Sequence, residues 1–392
     1  LLAPVTFVMG GTLTLLIRHV VANRIAEAGW RVGLLYGFNT LGAAAGAFFT
    51  DFSLIPNLGL FATQGVGVVC NLLAAVLAFR LAGNTLARRD SGAPIPAPIT
   101  AEPESGTSGR LTTGWVAAAI FLTGFAGLGA EILWFRYLSV LLGGYVAVFS
   151  LLLTVILVGI WLGSLAGGYC HRQFGNPARF FIAAQALFAF TLVLFLTLVD
   201  SDLVRRHYLE LVPSYRAGSG FTRKLLATWA NLYPILLATG VPALLMGFAY
   251  PLANGIVQRT EQGVGSRAGL LYLANTLGAV FGSVAVGFLL IPEVGMQVTV
   301  WVLLSFNVGA IVCLAMVQAP RSSAGGFGPA WHRFAAPVSL VFVGLAIVMW
   351  LRLPSDSMAM QAVPERGAQV ELLTLAAAAY QVVAVTATTD GA

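Results

Sequence analysis

The chain is dominated by apolar runs that are long enough, or nearly long enough, to cross a lipid bilayer as helices. The hydrocarbon core of a bilayer is about 30 Å thick and is crossed by about 20 helical residues. The pattern predicts an all-α polytopic membrane protein with about ten spans, at 2–22, 32–55, 60–82, 114–138, 142–170, 178–199, 226–257, 267–291, 296–318 and 336–351. The last and shortest run, 336–351, is either an extra span or a helix lying at the membrane interface.

Helices are favoured over the strands of a membrane barrel because these runs are apolar on every face. Barrel strands alternate apolar and polar residues over about ten positions, whereas a continuous apolar run satisfies its own backbone hydrogen bonds as a helix. Only 9% of the residues are charged, against about 25% in soluble domains. The net charge of +6 comes largely from arginines at the ends of runs, so the expected partner is the lipid bilayer and not nucleic acid.

One segment of the sequence occurs twice, with a spacing of 236 residues. Residues 31–46 read RVGLLYGFNTLGAAAG, and residues 267–282 read RAGLLYLANTLGAVFG. The match continues as far as Asn71 and Asn307. Two copies of a multi-helix unit are typical of transporter folds, and the number of spans between the copies predicts parallel repeats.

The repeat divides the chain into predicted segments. The second copy has six spans and the first has three, so we expect about three further helices before Leu1. A run rich in Pro, Ser, Gly and Glu separates the two copies and is predicted to be a flexible linker. The segments are 1–83 (second part of the first repeat), 84–113 (linker), 114–319 (complete second repeat), 336–351 (extra span or interfacial helix) and 352–392 (start of a soluble domain).

Arginines cluster in alternate connections between the runs, which indicates the orientation of the chain. The linker and the connections near 24–31, 172–179 and 259–267 are basic, whereas those near 56–59 and 292–295 carry almost no basic residues. Because basic loops stay on the cytoplasmic side, the linker is predicted to be cytoplasmic. The connection 200–225 conflicts with this alternation, because it is basic and is predicted to lie outside.

Several motifs resemble those of bacterial membrane proteins that fuse a transporter-like (major-facilitator-like) helical domain to a spermidine-synthase-like domain. They are GFAGLGAEILWFR at 124–136, FSLLL at 149–153 and the LYxxNTLGA boxes at 35–43 and 271–279. The resemblance covers roughly residues 1–320 and implies a multi-pass protein of the bacterial inner membrane. The alternating pattern of 365–391 is similar to the β-hairpin that opens the synthase-like domain of such fusions.

The resemblance implies the membrane domain of a polyamine aminopropyltransferase-like fusion that moves or presents a small cationic substrate. The alternative is a non-transporting scaffold or accessory subunit of a larger membrane complex, which the scarcity of carboxylates within the spans favours. An orthodox secondary transporter with an unrelated tail is a third reading. The acidic nucleotide loop and aspartate base of an aminopropyltransferase are absent from the chain. We therefore leave enzymatic activity open and predict no catalytic residue, metal site or cofactor.

Glu131 is the first candidate substrate-binding residue, because it lies in the middle of a predicted span. A charge at the bilayer centre costs at least ~2.5–3.5 kcal/mol, so such a residue usually has a function or a partner. Arg136 follows five residues later. Glu131 therefore either binds a substrate cation or a proton, or it pairs with Arg136 and stabilises the helix bundle.

Two amides and two tyrosines at equivalent repeat positions complete the candidate site. Asn39 and Asn275 each follow a tyrosine by three residues, Tyr36 in the first copy and Tyr272 in the second. Equivalent amides from two halves can line a shared pathway for a substrate. Hydrogen bonds between helices, at roughly 1 kcal/mol each, would also account for them.

Overall fold

A computed structural model describes residues 2–21, 27–89, 107–143, 145–258, 263–318, 335–352, 370–377 and 382–388. Almost all of these residues are helical. The helices are α1 (Leu2–Val21), α2 (Ala28–Phe49), α3 (Ile55–Arg89), α4 (Thr107–Leu142), α5 (Tyr145–Phe174), α6 (Pro177–Leu198), α7 (Ser201–Ala217), α8 (Gly220–Gly247), α9 (Ala249–Val257), α10 (Val264–Val284), α11 (Ile291–Gln318) and α12 (Ala335–Leu351).

In the part of the chain that the structure describes, six helical stretches are long and apolar enough to cross a membrane. Six replace the predicted ten because two pairs of predicted spans are each joined in one stretch, and because two apolar helices, Gly10–Val21 and Pro337–Leu351, are shorter. A predominantly helical fold with several membrane-length segments is thus confirmed in this coarser form. The six stretches are Ala28–Arg80, Gly109–Leu142, Val146–Phe174, Pro177–Leu198, Gly220–Val257 and Val264–Gln318.

The two longest stretches are interrupted in the same way. A π-helical segment, Thr50–Leu54, separates α2 from α3, and another, Ala285–Leu290, separates α10 from α11. Beyond each of them a glycine leaves helical geometry, Gly59 with φ 76° and ψ 173° and Gly295 with φ 79° and ψ 169°. This conformation is essentially restricted to glycine. The interruptions recur at the spacing of the sequence repeat.

The chain changes direction at the second interruption, because α10 and α11 both pack against α4. Two hydroxyls mark equivalent positions after the glycines. Thr63 Oγ1 donates to the carbonyl oxygen of Gly59 at 2.8 Å, and Thr299 Oγ1 donates to that of Gly295 at 2.7 Å. Such bonds to the preceding turn satisfy a polar side chain inside an apolar helix.

Small residues allow the central helices to approach each other closely. A Cβ on Gly33 of α2 would lie 2.6 Å from the carbonyl oxygen of Ser164 in α5. On the other side of α5, Ser164 Oγ is 3.2 Å from the carbonyl oxygen of Gly247 in α8. Close backbone approach at small residues is a usual basis of helix association in membranes. These contacts place α5 between α2 and α8.

Helix α3 packs differently from the other long helices. Between Ile55 and Arg80 every side chain except that of Thr63 is exposed. Phe61 and Phe79 are 90% and 80% exposed. Because these residues are apolar, lipid or further protein must cover this helix in a membrane.

The basic connection at 200–225 contains a helix, α7, where the sequence analysis expected only a loop. Asp200 caps its first turn, because its Oδ1 accepts a hydrogen bond of 2.8 Å from the backbone N–H of Leu203. No residue of α7 is buried.

Helix α12 packs against α6 and contacts α11 through Trp350. The Trp350 indole N–H donates to the Gln297 carbonyl oxygen at 3.2 Å, and the ring centroids of Phe342 and Phe190 are 5.3 Å apart. Trp350 is only 1% exposed. The predicted segment 336–351 is therefore an integral part of the helix bundle.

The predicted linker and tail lie partly outside the described residues. Helix α3 continues to Arg89 and α4 begins at Thr107, so both ends of the predicted linker 84–113 are helical. In the tail, strands β1 (Val370–Ala377) and β2 (Val382–Thr388) pair antiparallel, with an irregularity between Leu372 and Thr374. A β-containing domain over 352–392 stays a prediction.

Candidate functional site

A cavity of about 150 Å³ lies at the centre of the helices, where α2, α4, α5, α6, α8, α9 and α10 meet. Three of the predicted site residues line it: Tyr36 from α2, Glu131 from α4 and Asn275 from α10. Gln185 from α6 and Thr123 from α4 add two further polar side chains, and the Thr123 hydroxyl donates to the carbonyl oxygen of Ile120 in its own helix. The cavity therefore combines one carboxylate, two amides, a phenol and a hydroxyl within an otherwise largely apolar wall.

The sequence of α4 explains why Glu131 faces this cavity. Gly124, Gly127, Leu128 and Glu131 all line it, and their spacing of three and four residues places them on one helix face. A Cβ on Gly124 would lie 2.5 Å from the carbonyl oxygen of Asn275. The glycines thus let α10 approach α4 and leave space beside the carboxylate.

Glu131 forms no hydrogen bond or ion pair with any residue in the described ranges. Its side chain is only partly covered by protein, since it faces the cavity. Arg136 is half-buried and does not line the cavity. Residues five apart lie on different sides of a helix, which explains why the Glu131–Arg136 pair considered from sequence does not form.

Three tyrosines from three helices contact one another beside the cavity. The ring centroids of Tyr36 and Tyr250 are 5.0 Å apart, and those of Tyr250 and Tyr272 are 6.4 Å apart in an edge-to-face arrangement. Tyr250 also donates a hydrogen bond of 3.3 Å to the carbonyl oxygen of Ala268. Tyr36 and Tyr272, which were predicted from the repeat, are thus joined through a third ring.

Tyr250 and Gln185 are the site residues that sequence reasoning missed. Tyr250 has no counterpart tyrosine in the first repeat copy, where the upstream match, one residue out of step, aligns it with Leu13. Gln185 is an isolated amide within an apolar run. A polar residue inside a predicted span was the available signal for Gln185, and no repeated pattern pointed to Tyr250.

The two repeated amides are not brought together. Asn275 lines the cavity, whereas Asn39 is exposed on the surface of α2. Helix α10 packs against α4, while α2 packs against α5, so equivalent faces of the two helices have different neighbours. Of the six predicted residues, the cavity and the adjoining tyrosines include Tyr36, Tyr272, Glu131 and Asn275.

The donor set does not suit a metal ion. In the described ranges no group of three or more His, Cys, Asp or Glu side chains lies close enough to hold one. The cysteines Cys70, Cys170 and Cys313 are exposed, half-buried and buried respectively, and none forms a disulfide. A single carboxylate that shares a cavity with one tyrosine ring and two amides is better suited to an organic cation, to which rings and carbonyl oxygens can bind.

One curated protein offers a partial comparison. Over 208 residues, or 52% of this chain, the sequence is 31% identical to polyamine aminopropyltransferase 2 of Streptomyces coelicolor (strain ATCC BAA-471 / A3(2) / M145). The match spans 33% of that protein. No protein-family model matches the chain, and no solved structure matches it. The chain is therefore distantly similar to about a third of a polyamine aminopropyltransferase.

Proposed function

We propose that this chain is the membrane domain of a spermidine-synthase-like fusion protein and that its central cavity holds the ammonium group of a small organic cation. The observation that carries the proposal is the carboxylate of Glu131, which faces the cavity without an ion pair from the described residues. The similarity to a polyamine aminopropyltransferase supports a polyamine as the cation.

The chemistry of the cavity favours a cation over an anion or a neutral molecule. A carboxylate inside a membrane-spanning bundle is strongly disfavoured unless an opposite charge compensates it, and an ammonium group supplies that charge. Tyrosine rings attract a cation held over their faces, and the amide oxygens of Gln185 and Asn275 can accept its N–H groups. The volume of about 150 Å³ is below the roughly 300–1,000 Å³ of sites for larger ligands. It suits one end of an aliphatic amine.

The fold that we propose around this cavity has ten membrane crossings in two parallel repeats, in the inner membrane of a bacterium. The 53-residue stretch Ala28–Arg80 and the 55-residue stretch Val264–Gln318 would each be about 80 Å long at about 1.5 Å per residue, more than twice the hydrocarbon thickness of about 30 Å. The interruptions ending at Gly59 and Gly295 support two crossings for each stretch. The strands β1 and β2 would open the soluble domain.

A scaffold without transport is the second candidate, and the surface of α3 favours it. The exposed apolar side chains of this helix, such as Phe61 and Phe79, form a face that another membrane subunit could cover. An amine-binding experiment distinguishes the two proposals, because a scaffold does not require an amine at Glu131.

Binding of putrescine and spermidine to the purified chain in detergent tests the proposed function. The unfolding temperature should rise with either amine. At an amine concentration 100-fold above Kd, binding adds about 2.7 kcal/mol to the free energy of unfolding. The neutral 1,4-butanediol should have no effect. Glu131→Gln should abolish the shift, whereas Asp51→Asn, which changes a half-buried carboxylate outside the cavity, should preserve it.

An equal shift in Glu131→Gln and in the unchanged protein would remove Glu131 from the proposal. No shift with any amine would favour the scaffold. Uptake of labelled putrescine into proteoliposomes, compared between the unchanged chain and Glu131→Gln, then distinguishes movement of the amine from its presentation.

A further inference from the structure

Helix α7 has one apolar face, which is directed toward α8. The residues of this face recur every three or four positions along the helix, and all five line a groove between the two helices: Val204, Tyr208, Leu211, Val212 and Tyr215. No residue of α7 is buried. The apolar face is therefore turned inward but is not filled by protein.

The groove has a volume of about 410 Å³, bounded by α7, the first half of α8 and the end of α4. Ala227 and Ala230 of α8 contribute small side chains to its wall, and Asn231 is the only amide among the described residues that line it. The volume falls in the range of roughly 300–1,000 Å³ that holds small organic ligands. A long aliphatic group suits this wall better than a polar molecule does.

Three cations lie at the corner where α7 ends and α8 begins. Arg216, Arg223 and Lys224 are all exposed. The Arg223 guanidinium carbon is 6.0 Å from the ring centroid of Tyr215, a groove residue, and its Nε donates to the Gly218 carbonyl oxygen at 2.8 Å.

Neither Arg216 nor Lys224 has a hydrogen-bonded or ion-paired side-chain partner among the described residues. The nearby acids do not neutralise this corner. Asp200 caps the start of α7, and Asp202 pairs with Arg205 at 3.1 Å. Glu210 lies on the polar side of α7, away from the groove residues.

We propose that this groove holds an acyl chain of an anionic phospholipid whose phosphate contacts Arg216, Arg223 and Lys224. The ligand combines the two features that the surface offers, an aliphatic tail for the groove and a negative charge for the corner. An amphipathic helix with a basic polar face lies in the plane of the membrane interface, and basic clusters there bind anionic headgroups. The proposal rests on the proposed membrane embedding but not on the amine site at Glu131.

Aromatic side chains near α7 are of the kinds that are enriched at the membrane interface. The His207 ring stacks on Tyr233 with centroids 4.3 Å apart, and Trp229 is 40% exposed beside them. Trp and Tyr are enriched at the level of the headgroups. The basic residues of 200–225, which conflict with the charge alternation of the other connections, then have a role in lipid binding and not in orientation.

Lipid retention by the full chain tests the proposal. The chain is purified in detergent and mixed with equal amounts of phosphatidylglycerol and phosphatidylcholine that have the same acyl chains, and bound lipid is counted by native mass spectrometry. We expect a preference for phosphatidylglycerol of about tenfold or more, as two or three cations near an anionic headgroup produce. Arg216→Gln combined with Lys224→Gln should reduce this preference to about fivefold, which the one remaining cation, Arg223, supports.

Two further variants distinguish the contribution of the apolar groove to lipid retention from the contribution of the cations. Ala227→Trp fills the groove from an exposed position of α8 and should reduce retention of both lipids. Arg110→Gln removes an exposed cation outside the groove and should change nothing. Unfolding temperatures of all variants are compared, and Ala227→Phe replaces Ala227→Trp if the latter is unfolded.

Equal retention of the two lipids by the unchanged chain would overturn the proposal, and so would unchanged retention when the groove is filled. Glycerol phosphate, which has no acyl chain, should not compete; full competition would indicate a phosphate site without a groove. Glu131→Gln should keep the lipid preference, so failure of the amine site and failure of the lipid site are distinguishable.

Discussion

Asn307 donates a hydrogen bond of 2.8 Å from its side-chain nitrogen to Oε1 of Gln185, a residue 122 positions away that lines the central cavity. Both residues are buried, at 1% and 3% exposure. The bond joins α11 to α6 directly behind the cavity wall. Asn307 Oδ1 has no hydrogen-bond partner in the described part of the chain, so this amide pair is only partly satisfied by protein.

The amide pair leads to a prediction for Asn307→Leu. The substitution leaves Gln185 Oε1 without this donor, and an unsatisfied buried polar atom costs about 1–3 kcal/mol. We expect that loss of unfolding free energy, measured by titration with sodium dodecyl sulfate in mixed micelles. Asn71→Leu is the matched control, because Asn71 occupies the equivalent repeat position but is exposed. Equal effects in both variants would contradict the role of the hydrogen bond.

A second prediction compares glycines at equivalent repeat positions. A Cβ on Gly278 would collide with the backbone carbonyl of Phe121, whereas nothing lies within 4 Å of a Cβ on Gly42. Gly278→Ala should therefore destabilise the chain by about 1–3 kcal/mol, as overpacking does. Gly42→Ala should be neutral or stabilise by about 0.5–1 kcal/mol. Thermal unfolding in detergent measures both, and a loss in Gly42→Ala equal to that in Gly278→Ala would contradict the packing of α10 against α4.

The contrast between Gly42 and Gly278 shows how far the sequence could predict this fold. The length of the apolar runs predicts helices, and the sequence repeat shows that Gly59 and Gly295 occupy equivalent positions. The neighbours of each copy are not visible, because α2 packs on α5 while α10 packs on α4. Helix α7 was missed because its charges resemble those of a loop, although its apolar residues recur at helical spacing. The repeated motifs predicted the same local backbone conformation in both copies, whereas tertiary packing determines which helix faces are buried.

The tyrosine cluster leads to a third prediction, which depends on the proposed amine site. Tyr36→Leu removes a ring that lines the cavity, and a desolvated cation–aromatic contact contributes about 2 kcal/mol. Binding of putrescine, measured by calorimetry, should weaken by about tenfold to thirtyfold. Tyr36→Phe retains the ring and should keep most of the affinity. If Tyr36→Phe weakens binding as much as Tyr36→Leu does, the hydroxyl is the important group.

The candidate site was predictable where a residue was unusual for its span. Glu131 stands out as a carboxylate in an apolar run, and the structure directs it to the cavity. Asn39 stood out equally through its repetition, yet it is exposed. The repeat indicates that a helix was duplicated. Whether its asparagine lines a cavity depends on which other helices pack against the face that carries it. Gln185 and Tyr250 belong to the site through such packing, so no local pattern identified them together.

A fourth prediction concerns backbone strain at Gly59 and Gly295. Both have positive φ with ψ near 170°, and nothing lies within 4 Å of a Cβ on either residue. Alanine there meets no neighbour, so any destabilisation must come from the backbone conformation, which costs about 1–3 kcal/mol in a residue other than glycine.

We expect Gly59→Ala and Gly295→Ala to lower the free energy of unfolding by similar amounts. Gly65→Ala, in the same helix as Gly59 and equally free of neighbours but without the unusual φ, should be neutral or stabilising because alanine favours helices. Mixed-micelle unfolding of the three variants measures this difference. A neutral effect at Gly59 and Gly295 would mean that the chain passes these points in ordinary helical geometry. The two glycines would then no longer support the two crossings that we propose for each stretch.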